Sequence, residues 1–298
     1  MTDVLVVLST LAQTGPVNQV YSILSGLDKD ISASILTLSP EGESSRLADF
    51  ESLGIEVQTL GLGRIESAAV GIPRLREVVN RRKPDVVHTH GLRADLLAAL
   101  SLHWIPTMTT LHTNPKKDYT ESYGLLRGES AANTHLLAAR LIDCQVACSS
   151  AVADDLELYL PRAEVIRNGV CQDTYKPRNN AAEYRRKLQL PVEGPLFMSA
   201  GAFIKRKRPE MVIRAFQSSS VDGHLVMLGD GPLRDQCRSI AGDSITLPGY
   251  VDEVLPYLQA ADFYVSASAA EGLPLAPLEA LGCGLPVALS HIKPHEEI

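Results

Sequence analysis

From its first residues the chain alternates short apolar runs with helix-patterned segments, and this alternation leaves few folds open. Strands are predicted at Val4–Leu8, Ile31–Leu38, Ile55–Leu60, Val86–His88, Thr107–Leu111, Gln145–Cys148 and Glu164–Ile166. Between them lie helical patterns at Val17–Leu27, Ser44–Leu53, Ala69–Arg82, Leu92–Leu102, Leu125–Leu141 and Ala151–Leu160. Such alternation is the pattern of an α/β fold, a doubly wound parallel sheet covered on both faces. A turn signal at Asn168-Gly169-Val170 and a polar crossing over Gln172–Asn180 close the first half. The pattern then resumes, with strands at Leu196–Ala200, His224–Leu228, Ser244–Thr246, Phe263–Val265 and Val287–Leu289. Helices are predicted at Ala181–Leu190, Pro209–Gln217, Pro232–Ala241, Val254–Ala260 and Pro277–Leu281. Two Rossmann-like domains are expected, residues 1–171 and 172–298.

Composition narrows the class. The 298 residues suffice for two domains of ordinary size. A net charge of −7 argues against a general nucleic-acid footprint. No apolar run approaches the roughly 20 residues that a bilayer span needs. Met1-Thr2-Asp3 leads straight into Val4–Leu8, without a basic n-region or a cleavage site, so this stretch reads as a strand and not as a signal peptide. Five scattered cysteines, Cys144, Cys148, Cys171, Cys237 and Cys283, fit reduced thiols in the cytoplasm. Cys144 and Cys148 have no second pair nearby, and no metal site is expected.

Ligands of open parallel sheets sit beyond the carboxyl ends of the strands, so those ends carry the functional reading. After the first strand, Thr14-Gly15-Pro16-Val17-Asn18 opens a helix as a small loop that could approach a phosphate or make a simple turn. It is not the G-x-G-x-x-G of a nicotinamide or flavin site. After the fourth, His88 and His90 alternate and point to one side. After the fifth comes His112, and then a polar stretch, Lys116–Gly124, that reads as a surface loop.

In the second half, Gly201-Ala202-Phe203-Ile204-Lys205-Arg206-Lys207-Arg208-Pro209 puts a basic run between a strand end and a helix start, where an anion could lie. Leu228-Gly229-Asp230-Gly231-Pro232 is another strand-to-helix turn, whose glycines permit close backbone approach to a ligand. The most informative stretch is Ser266–Gly284, read as strand end, loop and helix. Its helix start, taken at Pro277, presents free N–H groups and a partial positive charge, which favour phosphate. Glu271 stands in the loop and Glu279 in what reads as the first helical turn. Phosphate with nearby carboxylates for hydroxyls describes a nucleotide sugar. A paired-carboxylate glycosidase is the competing chemistry.

Taken as a set, these segments resemble a GT4-type retaining glycosyltransferase of the GT-B fold. The resemblance rests on the Gly15 loop, DVVHTHG at Asp85–Gly91, LH at Leu111-His112, RNGV at Arg167–Val170, GAFIKRKRP at Gly201–Pro209, LGDGP at Leu228–Pro232, PGYVDEV at Pro248–Val254 and EGLPLAPLEALGCGLPV at Glu271–Val287. It implies two domains facing across a cleft, with the donor held by the second. It further implies that Lys207 contacts the donor phosphates, Glu279 the ribose hydroxyls, and that Glu271 and His112 lie by the transferred sugar. His112, Glu271 and Lys207 are then the catalytic candidates. Gly15, Gly201, Arg206, Gly229, Gly231, Tyr250 and Leu275 complete the donor-binding set, with Asn18 and His90 on the acceptor side.

The implied donor is a nucleotide-diphosphate sugar, a UDP-sugar before a GDP-sugar, with no cofactor and no metal. The implied acceptor is a glycan or a lipid-linked glycan, which points to a cytoplasmic protein, peripherally associated with the inner face of the membrane. Two other readings share the architecture: a nucleotide-sugar 2-epimerase, and a non-catalytic nucleotide-sugar-binding subunit. The chain departs from the family at Pro16, where a second glycine is usual, and at Ala202, where an arginine is usual. Arg206 is the candidate to supply the missing charge. The family's chain continues beyond this point, so His295-Glu296-Glu297-Ile298 is expected to close a C-terminally truncated fragment.

Overall fold

Runs rich in valine, isoleucine and leucine bury on both faces of a parallel sheet, and this organises each half of the chain. The computed structural model describes residues 1–177 and 180–298. Two residues of the predicted crossing, Arg178 and Asn179, therefore lie outside the described residues. The chain divides into two compact units, Met1–Asn168 and Gly169–Ile298.

The first unit runs β1 (Thr2–Leu8), α1 (Gly15–Ser25), β2 (Ile31–Thr37), α2 (Leu47–Ser52), β3 (Glu56–Thr59), α3 (Arg64–Arg82), β4 (Val86–Thr89), α4 (Leu92–Ser101), β5 (Thr107–Leu111), α5 (Pro115–Tyr123), α6 (Leu125–Arg140), β6 (Cys144–Ala147), α7 (Ser150–Leu156) and β7 (Glu164–Val165). The strands pair in parallel in the order β3-β2-β1-β4-β5-β6-β7. Successive residues of β1 serve opposite faces. Leu5 and Val7 pack with Leu36, Val87, Leu75 and Leu97, whereas Val6 and Leu8 pack with Ile35, Val17, Val20 and Phe50.

The second unit runs α8 (Ala181–Lys187), β8 (Leu196–Ala200), a short 3-10 turn (Lys205–Lys207), α9 (Pro209–Ser218), β9 (His224–Leu228), α10 (Arg234–Ile240), β10 (Ile245–Gly249), α11 (Leu255–Ala260), β11 (Phe263–Ser266), α12 (Leu275–Gly282), β12 (Val287–Leu289) and α13 (Lys293–Glu296). Its parallel order is β10-β9-β8-β11-β12. Buried Arg185 of α8 pins this unit together. It donates to the carbonyls of Ala260, Val192 and Gly194 and pairs with Asp262.

Both sheets reverse direction beside their first strand, so each has a topological switch point, β1/β4 in one and β8/β11 in the other. The crevice outside the carboxyl ends at a switch point is where such sheets bind ligands.

The structure corrects three expectations. Lys116–Gly124 is not a loop, for Pro115–Tyr123 forms α5. Asn114 caps it by accepting from the Lys116 N–H, and Pro115 fills the first turn. Helix α3 begins at Arg64, well before Ala69, because the Glu66 carboxylate accepts the Gly63 N–H at 2.8 Å. Helix α12 begins at Leu275 and not at Pro277. A proline is tolerated in the first turn, whose N–H groups have no intrahelical partner. Glu279 therefore sits one turn into the helix.

Helices α5 and α6 meet at Gly128, where a Cβ would lie 2.4 Å from Thr120 Cα and from the Tyr119 carbonyl oxygen. Both contacts are backbone, so the helices would have to separate. Alanine gains about 1 kcal/mol of helix propensity over glycine, and overpacking costs about 1–3 kcal/mol. Gly128→Ala is therefore expected to lower the melting temperature. A melt equal to or above the parent's would show that the pair of helices can spread freely.

Candidate functional site

At the β8/β11 switch point the loop after β8 carries the basic run. It leaves Ala200 through Gly201, tightens into the 3-10 turn Lys205–Lys207, and enters α9 through Arg208 in a left-handed conformation, φ 48°. The loop after β11 comes alongside, and the Ala269 N–H donates to the Arg206 carbonyl at 2.8 Å. Lys207 Nζ then lies 2.5 Å from Glu271 Oε1, and Arg206 Nη1 lies 3.1 Å from Glu271 Oε2. Arg206 Nη1 also donates to the Ala270 carbonyl.

Glu271 is buried, its side chain only 6% exposed, while the side chains of Arg206 and Lys207 remain 17% and 25% exposed. Burial alone would raise the Glu271 carboxyl. Lys207, through charge and hydrogen bond, then Ser268 and Arg206, outweigh burial and hold it below the usual range. Two cations thus meet on one buried carboxylate. The ammonium has three donors and spends one on Glu271.

The other donor-side candidates stand around this group. Gly201 lies against the Lys207 stem, 3.8 Å from where its Cβ would be. Gly229 and Gly231 face neighbouring backbone on the side where a Cβ would stand. A Cβ at Gly229 would meet the Gly201 carbonyl oxygen at 2.0 Å, and one at Gly231 the Phe203 carbonyl oxygen at 2.7 Å. These glycines let the loops after β8 and β9 lie on one another, which shapes the Lys207 loop from behind. Leu275 opens α12, and Tyr250 is half exposed just past β10. Glu279 is almost wholly buried, and its Oε1 accepts from the Tyr175 hydroxyl at 3.1 Å. Tyr175 is a residue that sequence reasoning missed. It belongs to the stretch read as a polar crossing, and the signal was an aromatic ring among polar neighbours.

In the first unit the candidates gather at the carboxyl ends of β1, β4 and β5. Gly15 is the first residue of α1, with nothing within 4 Å of a Cβ placed on it. Asn18 is engaged, its Oδ1 accepting from Arg46 Nη1 at 3.0 Å. His90 follows β4 and donates its backbone N–H to the Val7 carbonyl of β1. The rings of His88, His90 and His112 form a row, with centroids 4.2 Å and 5.1 Å apart. His88 Nε2 bonds Thr110 Oγ1 at 2.8 Å, and His90 Nδ1 lies 2.9 Å from His112 Nε2.

Burial pulls the His88 and His112 imidazoles down to about 4, although Asp95 opposes it. Burial, His88 and His112 push His90 well below its ordinary value. A second network, unseen in the sequence, lies nearby. Fully buried Asp95 accepts from Thr109 Oγ1 and from His135 Nε2, and His135 Nδ1 meets the Tyr119 hydroxyl at 2.9 Å. Its members come from α4, β5, α5 and α6, too far apart in sequence for any local pattern to join them.

The histidine row makes folding sensitive to acid. Above the ordinary value of 6.5 the imidazoles are neutral in both folded and unfolded chains. As pH falls from 6.5 towards 4, the unfolded chain takes up protons that the folded unit refuses, and stability is lost. Each imidazole is expected to contribute about 1.4 kcal/mol per pH unit across that window. Denaturation followed through Trp104, the single tryptophan, should show a lower midpoint at pH 5 than at pH 7. An unchanged midpoint would exclude neutral burial of the row.

Residues 14–173 match the model of Glycosyltransferase Family 4, and residues 194–298 that of Glycosyl transferases group 1. The chain is 25% identical over 240 residues to the UDP-Gal:alpha-D-GlcNAc-diphosphoundecaprenol alpha-1,3-galactosyltransferase of Escherichia coli, covering 74% of this chain and 61% of that protein. It is 26% identical over 309 residues to the alpha-monoglucosyldiacylglycerol synthase of Streptococcus pneumoniae, covering 95% and 69%. The chain spans about 61% of the length of several curated relatives that it matches. The crystal structure of Anabaena HepE in complex with UDP-glucose superposes with a TM-score of 0.82 at 16% identity, over 100% of this chain and 82% of that one. That likeness shows the fold, two Rossmann-like parallel-sheet domains of the GT-B class. With a family model matched over more than half of its residues, the chain belongs to glycosyltransferase family 4.

Proposed function

We propose that this protein transfers a sugar from a nucleoside-diphosphate sugar to a glycan or lipid-linked acceptor, with retention of the donor's anomeric configuration. The observation that carries the reading is the pair of cations, Lys207 and Arg206, gathered on buried Glu271 at the β8/β11 switch point. Departure of the nucleoside diphosphate builds negative charge on its outer phosphate. Preorganised cations aimed there stabilise the transition state more than the ground state. In this reading Lys207 faces the diphosphate, with Arg206 beside it supplying the charge that Ala202 lacks. Glu279, held by Tyr175, accepts the ribose hydroxyls. Glu271 holds both cations in place and lies beside the transferred sugar. The reaction draws its positive charge from these side chains and from backbone N–H groups, and calls for no metal or other cofactor.

Relatives favour a UDP-sugar as donor, since one is named for UDP-Gal and HepE was crystallised with UDP-glucose. One relative is named for transfer to alpha-D-GlcNAc-diphosphoundecaprenol and another as a monoglucosyldiacylglycerol synthase, which favours a lipid-linked acceptor. In this reading the protein works in the cytoplasm, peripherally at the inner face of the membrane. No described helix is long and apolar enough to cross a membrane. His112 and Gly15 are assigned to the sugar and diphosphate side, Asn18 to the acceptor side.

The test is transfer from a panel of nucleotide sugars, with proton NMR of the first product formed and with chelator present. The expected product keeps the donor's anomer, and chelator leaves the rate intact. An inverted product would remove the retaining mechanism, and hydrolysis or epimerisation without transfer would remove the assignment.

Three substitutions separate the roles. Lys207→Ala is expected to lower kcat about 10²–10³-fold, the effect of losing one preorganised partner of a developing anion. Glu279→Gln is expected to weaken nucleoside diphosphate binding about ten-fold, in line with loss of a hydrogen bond to a charged group. Glu271→Gln removes a negative charge from beside the phosphates, so it is expected to leave that binding equal or tighter while slowing transfer. Calorimetry with the nucleoside diphosphate alone reads the last two. Equal weakening by both would refute the division of roles, and near-parental turnover in Lys207→Ala would refute the phosphate assignment.

A further inference from the structure

The imidazole row of the first unit has a polarity that no part of the reading above uses. His90 is 5% exposed, and its Nδ1 is 2.9 Å from His112 Nε2. Its other ring nitrogen, Nε2, is buried without a hydrogen-bond partner among the described residues. A neutral imidazole carries one N–H and one lone pair. A buried N–H without an acceptor is rarer in proteins than an under-used acceptor. The orphaned Nε2 of His90 is therefore the lone pair, and Nδ1 carries the proton. Nδ1–H must then donate to His112 Nε2, which accepts. His112 is left with its proton on Nδ1, the ring nitrogen not taken up by His90. His88 does not enter this exchange, because its Nε2 is engaged by Thr110 Oγ1 at 2.8 Å.

We propose that His90 is a positioning residue for His112: it fixes the His112 tautomer, so that at the end of β5 this ring presents an N–H donor, not a lone pair, to an oxygen of the sugar donor. The assignment of the sugar rests on the transferase reading; the tautomer does not. The burial that lowers all three imidazoles keeps the row neutral at neutral pH. His112 is thereby a neutral hydrogen-bond donor, suited to holding a hydroxyl, and not a base that takes its proton. His90 accordingly acts through His112.

Long-range proton–nitrogen correlation NMR on labelled protein at neutral pH tells a protonated ring nitrogen from a bare one. His90 and His112 are expected to be protonated at Nδ1 and bare at Nε2. In His90→Phe, similar in shape but without a donor, His112 should shift towards the Nε2–H form. In His90→Asn the amide Nδ2 replaces the missing donor, and His112 should keep its proton on Nδ1. With a donor sugar that the parent turns over, His90→Phe should lose about ten-fold in kcat with KM for the donor little changed, and His90→Asn should recover most of it. A His112 bare at Nδ1 in the parent, a tautomer unmoved by His90→Phe, or a shifted tautomer with undiminished kcat each overturns the proposal. A parent that transfers from no donor counts against the transferase reading, and the tautomer measurement then decides this one by itself.

Discussion

The buried carboxylate of Glu271 is the constraint around which the second unit's ligand side is built. A carboxylate only 6% exposed is costly unless it is paired and hydrogen-bonded. Lys207, Arg206 and Ser268 meet that demand, and in meeting it they tie the loop after β11 to the loop after β8. The backbone bond from Ala269 to Arg206 draws the same loops together. An anion that arrives at Lys207 must therefore compete with Glu271 for the ammonium. Fold and binding share one electrostatic balance, and neither cation can be exchanged without disturbing the anchor beneath it.

The first unit uses polar groups in the opposite way. Its three imidazoles are held neutral by burial, His88 bonded to Thr110 and His90 to His112, so the row carries no charge. Asp95 is a fully buried carboxyl group of this unit. It is satisfied by Thr109 and by His135, which α6 brings up behind Tyr119 of α5. One unit thus gathers two cations on a buried carboxylate, and the other keeps neutral imidazoles at the ends of its strands.

Strands were legible in the sequence because a parallel sheet buries both faces, which favours short runs rich in apolar residues, as in Val4–Leu8. All twelve strands of the two sheets fall on predicted runs. Helices with a clear apolar stripe were legible for the same reason. Helix α5 was not, since Pro115–Tyr123 offers only two aromatic rings, Tyr119 and Tyr123, among polar residues, and its cap was the sole local sign. The contact of Lys207 with Glu271 joins residues 64 apart, and spacing alone could not have shown it. The resemblance named both residues without saying that they touch. Gly229 and Gly231 were read as permitting close backbone approach to a ligand, and the close approach that the structure shows at both is that of neighbouring backbone. A glycine in a sequence reports close approach without saying of what.

The strand order of the first sheet has a consequence for how the chain is made. Strand β1 leaves the ribosome before the strands it pairs with, yet it is an interior strand. It finds β2 on one side within about thirty residues, Val4 against Ala33, whereas its other side waits for Val86. During synthesis the β3-β2-β1 half can form early from local pairings, and one edge of β1 then stays open until β4 emerges. Loop-closure entropy makes that late pairing the slow one. An open apolar edge in a half-made sheet is the kind of surface on which nascent chains associate. The strand that seats the switch point in the finished protein is thus the most exposed one in the unfinished protein.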